Sequence, residues 1–156
     1  MDGESEAGLW PAVLAAEDHV RRARFEFYQG SNARHDVLSA ALNDRRQEHS
    51  ALAYLQHFPS DVPTLLDPLV SLAMTHRCAL EARRAIAGNR SDTVVQGVRR
   101  IVDAWLRSAD VDEDDYRRLA ELLVHLDDKP ALRALTELAS ASDNPEIREV
   151  GEDFSD

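Results

Sequence analysis

Six carboxylates fall within one short stretch, at Asp110, Asp112, Glu113, Asp114, Asp115 and Glu121. Aspartates at relative positions 1, 3 and 5 with a glutamate at 12 follow the ligand spacing of a calcium-binding loop, whose oxygen donors suit a hard cation. Asp110, Asp112, Asp114 and Glu121 are the ligand candidates. Two positions depart from that loop. Asp115 stands where glycine permits the sharp turn, and Arg117 where a branched apolar residue belongs. The candidate is therefore weak. The same residues also read as a helix start: Asp112 caps it, and Glu113, Asp114 and Asp115 complement the helix dipole.

The remaining reactive side chains form no recognisable site. His19, His35, His49, His57, His76 and His125 give no HExxH or paired spacing. Glu121 and His125 share a helix face, but two ligands are too few for zinc. Cys78 is the lone cysteine and reads as a small buried apolar residue. His76, two residues away, would point elsewhere on a helix. No phosphate-cradling glycine motif and no nucleophile elbow occurs. The expectation is a non-enzymatic protein with no catalytic residue, no cofactor and no resident metal.

Arginine is placed more suggestively. It occurs in pairs at 21–22, 45–46, 83–84, 99–100 and 117–118. If the helices carrying them stack, such pairs align as a ridge able to grip carboxylates or phosphates. Arg83, Arg84, Arg99 and Arg100 are the partner-binding candidates on that view. The alternative is a set of solvated faces with intrahelical pairs such as Glu81 with Arg84.

Charge narrows the partner. The chain of 156 residues carries a net charge of −11. Residues 110–156 hold 15 acids and 5 bases, whereas residues 31–109 are slightly basic. That acidic end repels phosphate and disfavours nucleic acid. No apolar run reaches the ~18 residues of a membrane span. The acidic start lacks the features of a secretory signal, and one cysteine suits a reducing compartment, so a cytoplasmic location is expected.

The elements that must position these residues are helices. With 44% hydrophobic residues and few glycines or prolines, the chain can bury a single core. Val13, Ala16, Val20, Ala23 and Phe27 alternate steps of three and four, which predicts a helix over about 10–29 with Pro11 in its first turn. Residues 1–8 are expected to be a mobile acidic terminus. Four helix pairs follow over about 32–58, 62–88, 92–126 and 130–154. Val37, Leu38, Ala41 and Leu42 should face inward in the first pair, and Leu132, Leu135, Leu138 and Ala139 in the last. Pro68 should kink the helix over about 62–74. Nothing alternates as a strand would. Leu69, Val98 and Leu135 occupy matching places 29 and 37 residues apart, a period in the range that stacked helical hairpins produce.

The stretch Leu65-Leu66-Asp67-Pro68-Leu69-Val70-Ser71-Leu72-Ala73 resembles the first helix of a HEAT repeat, where a proline often bends the helix. Leu135 and Leu138 ahead of Asp143 and Ile147-Arg148 are similar to the same family's leucines, turn aspartate and hydrophobic-basic pair. The resemblance covers about residues 62–150 and departs at 75–80 and 110–115. It implies an all-α fold: a short right-handed stack of antiparallel helix pairs, with a globular helical bundle as the alternative. Its functional implication is a protein-protein interaction or scaffold module. The alternative is an acidic inhibitor or immunity-type protein blocking a basic partner such as a nuclease, with Asp112, Glu113, Asp114 and Asp115 as contacts.

Overall fold

A computed structural model describes residues 3–108 and 110–155, with side chains from Leu9 onward. Among the described residues the fold is all-α. The helices are α1 (Gly3–Gly30), α2 (Arg34–Leu42), α3 (Glu48–His57), α4 (Leu66–Ala73) and α5 (Ala79–Ala87). They continue as α6 (Asp92–Leu106), α7 (Glu113–His125), α8 (Lys129–Ser140) and α9 (Pro145–Asp153), and a 3₁₀ turn, Pro59–Thr64, precedes α4.

Two prolines sit differently from expectation. α1 begins at Gly3 rather than near Trp10, so Pro11 lies inside the helix, two turns past its start. The acidic residues of this segment favour a helix N-terminus, which helps the helix extend backwards. Of the terminus expected to be mobile, Met1 and Asp2 lie outside the described residues. Pro68 does not kink α4. The 3₁₀ turn and Leu65 (φ −120°) change the chain direction first, leaving Pro68 in the first turn of α4, where a missing N–H costs nothing.

The core runs through α2–α9. Leu42, Leu52, Leu55, Leu65, Leu69, Ile86, Leu119, Leu122, Leu123 and Leu135 are fully buried. Val37 and Leu138, expected inward, are exposed, each at the edge of its apolar stripe. Beyond neighbours in sequence, α2 packs on α4, α3 on α5, α4 on α6, α5 on α7 and α7 on α9. Close approach is built in at two glycines. A Cβ on Gly97 of α6 would collide with the Leu66 side chain of α4, and one on Gly151 of α9 would fall 2.9 Å from the Ser140 backbone nitrogen.

Ion pairs lace successive layers together. Arg34 joins Asp61 at 3.2 Å, and Arg77 joins Glu48 at 2.6 Å. Arg83 joins Glu121 at 2.5 Å, Arg99 joins Asp128 at 2.7 Å, and Arg117 joins Asp153 at 2.9 Å. Asp128 is the most worked of these. α7 ends in a left-handed turn at Asp127 (φ 55°), with the Asp128 N–H donating to the Leu123 carbonyl at 3.0 Å. That turn sets the buried Asp128 carboxylate to cap α8 through the Ala131 N–H and to accept both Arg99 bonds at 2.7 Å. The Arg99 hydrogen bonds hold its carboxyl below the usual aspartate range.

Candidate functional site

α1 is anchored through its C-terminal end, and among the described residues nothing buries the side chains from Leu9 to Ala23. At its C-terminal end Phe27 meets Tyr54 edge-on at 5.4 Å, and Tyr28 stacks on Phe58 at 4.7 Å. Arg34 donates to the Tyr28 and Ser31 carbonyls at 2.8 and 2.9 Å, satisfying the end of the helix, and its guanidinium also lies over the Tyr28 ring. Asp61 fixes Arg34 and accepts the Tyr54 hydroxyl at 2.9 Å. This network sets the angle at which α1 leaves the body.

From Leu9 to Ala23 every α1 side chain is exposed. Leu9 is 63% and Trp10 65% exposed, with Val13, Leu14 and Val20 all above two-fifths. Leu9, Val13, Ala16, Val20, Ala23 and Phe27 keep heptad-like spacing, so they form one stripe in line with the Phe27 contact. Where the stripe nears the body, Val13, Val20, Phe25, His57 and Phe58 line an open groove of about 910 Å³.

The predicted arginine candidates do not share one face. Arg83 is buried, bonded to Glu121 and the Ala73 carbonyl. Arg99 is half-buried on Asp128. Arg84 and Arg100 are exposed. One member of these pairs thus ties layers together while its neighbour meets solvent. Arg118, half-buried, bonds the Met74 carbonyl and His76 and so also links layers.

The acidic turn is a capped helix start. Asp112 accepts the Asp115 N–H at 2.9 Å, and the Asp115 side chain faces back to the Asp112 N–H. Asp114 lies 3.7 Å from Arg118, Asp110 is exposed, and Glu113 is half-buried. Glu121 is taken by Arg83, not drawn to Asp112 or Asp114. His125 turns its ring to the Glu121 carbonyl rather than to its carboxylate.

One cluster was missed from sequence. The ligand atoms of Glu48, His49 and Cys78 lie within 4.8 Å of one another. Cys78 is fully buried, and burial pushes its thiol above the ordinary range. Its Sγ lies 3.9 Å from His49 Nε2. Donors of this kind suit a soft divalent ion. However, the Arg77 guanidinium lies within 2.8 Å of both Glu48 oxygens and already neutralises the buried carboxylate. The signal that could have found the cluster is the 29-residue spacing seen between Leu69 and Val98. Glu48 and Arg77 are 29 apart, as are His49 and Cys78, and Arg99 and Asp128.

No protein-family model, curated protein or solved structure matches this chain.

Proposed function

We propose that the chain is a non-enzymatic protein-interaction module, a stack of HEAT-like antiparallel helix pairs that holds α1 out as its binding element. The observation that carries this is the exposed apolar stripe of α1, rooted in the Phe27, Tyr28, Tyr54 and Phe58 aromatic cluster. A helix of this kind offers anchors at successive turns to a groove or another helix. The stacked-pair reading is supported by the contacts of each helix with the next but one, and by the ion pair and hydrogen bonds that join residues 29 apart. The test is affinity capture from the native cell with the full chain and with a Trp10→Glu/Val13→Glu variant. Specific capture should vanish in the variant while its thermal unfolding is unchanged. Identical captured proteins from both would refute α1 as the binding element.

An acidic-inhibitor reading is favoured by a separate feature. Exposed Asp112 and Asp114 at the start of α7, and exposed Glu146, Glu149 and Glu152 on α9, belong to two helices that pack together. Charge reversal at Asp112 and Asp114 would slow association with a basic partner and flatten its salt dependence. Association with unchanged rate and salt response would exclude this reading.

A further inference from the structure

We propose that Glu48, His49 and Cys78 form a three-donor site for a zinc-class divalent ion, and that Arg77 is the resident cation which the metal displaces. Glu48 and His49 open α3, and Cys78 immediately precedes α5, so the site joins two packed helices. It lies at the end of α3 opposite Tyr54 and Phe58, the residues that hold α1. One thiolate, one imidazole and one carboxylate are a donor set that zinc accepts. The ligand atoms already lie within 4.8 Å of one another, and Cys78 Sγ is 3.9 Å from His49 Nε2. Around a tetrahedral zinc such atoms stand about 3.3–3.6 Å apart. The sulfur and nitrogen need to close by only a few tenths of an ångström, and the carboxylate by no more than about 1.5 Å.

The carboxylate has an oxygen to spare. Glu48 is 2% exposed, and Arg77 approaches both of its oxygens with one nitrogen, Nη2. That nitrogen donates to Oε2 at 2.8 Å, while Oε1, 2.6 Å away, accepts no hydrogen bond among the described residues. A buried carboxylate oxygen with unused lone pairs is an open donor. The guanidinium also interacts with the Cys78 sulfur, so one positive group serves two of the three donors. The Arg77 side chain is 44% exposed and free to turn into solvent, whereas Glu48 and Cys78 are held in the interior. The exchange balances in charge. The metal brings two positive charges, the Arg77 charge moves to water, and the Cys78 thiol gives its proton to solvent. The buried group is neutral before and after. Exposed His49 supplies Nε2 as a neutral donor and leaves the fourth place to a water.

Cobalt and zinc titrations of the metal-free full chain read this directly. One ion per chain should bind, with a thiolate-to-cobalt charge-transfer band that zinc abolishes; Cys78 is the only thiol, so the band reports this site. Cys78→Ser should lack the band. His49→Ala removes an exposed side chain, so it should fold as before and weaken zinc at least about tenfold. Arg77→Met should bind zinc about tenfold more tightly, since nothing then competes for Glu48. His35→Ala, exposed on α2, should bind as the unaltered chain does. A chain that binds no zinc, bound cobalt without the thiolate band, or zinc affinity unmoved by His49→Ala or by Arg77→Met would overturn the site. Affinity weakened equally by His35→Ala would overturn it too, by showing that surface histidines hold the ion.

Discussion

α1 and α7 both carry apolar residues at helical spacing, and the protein treats them oppositely. α7 buries Tyr116, Leu119, Leu122 and Leu123 between α5, α8 and α9. α1 carries Leu9, Trp10, Val13 and Val20 at the same kind of spacing and leaves them in solvent. The difference is in covering, and α1 is also the less sharply divided of the two into an apolar and a polar face. Helical periodicity states which face is apolar; it does not state what lies against that face. In α2–α9 the next hairpin supplies the cover. Beyond Phe27 nothing in the described chain does.

The sharpest break between the regions should appear in truncations. Leu119→Ala should cost about 2–5 kcal/mol by leaving a cavity in a fully buried site. Val13→Ala should change stability by less than ~0.5 kcal/mol, because the residue is exposed. Denaturant unfolding of the two variants checks both. Equal costs would mean that α1 is packed. Next in size, Arg77→Met strands the buried Glu48 carboxylate and should cost up to about 3 kcal/mol, with much of that loss recovered in Arg77→Met/Glu48→Gln.

Glycines sharpen the contrast further. Gly151→Ala should destabilise by about 1–3 kcal/mol, since its Cβ would press on the Ser140 backbone at 2.9 Å and the Thr136 carbonyl at 3.1 Å. Gly30→Ala, with nothing within 4 Å and no positive φ, should be neutral or stabilise by up to about 1 kcal/mol. Calorimetric midpoints separate the two signs.

The smallest effect is a pH slope. Asp128 titrates below its ordinary value when folded, so its contribution is complete above the unfolded aspartate range of about 3.9 and is lost as pH falls through the depressed value. Asp128→Asn should be less stable near neutrality and show a shallower acid loss. An unchanged acid limb would contradict the Arg99 pairing.

Much of the architecture was legible because periodicity and punctuation agree. Pro59-Ser60-Asp61, Ser91-Asp92 and Asp143-Asn144-Pro145 each fall between the helices that the structure places there or at their starts. The site was less legible. The arginine doublets were visible, but which member turns inward depends on the stacked neighbour: Arg83 meets Glu121 and Arg99 meets Asp128. The Glu48, His49 and Cys78 cluster was hidden because Cys78 is far in sequence from the other two, and the spacings of 29 and 37 between matching helix positions did not single out one period. Pro68 misled for a local reason. A helix boundary two residues upstream converts a breaker into a first-turn residue.

Hydrogen exchange of the full chain, followed by mass spectrometry, tests the central claim most directly. Residues 9–23, exposed along their whole length, should exchange far faster than α7, whose apolar face is buried. Protection of residues 9–23 that matches α7 would contradict it.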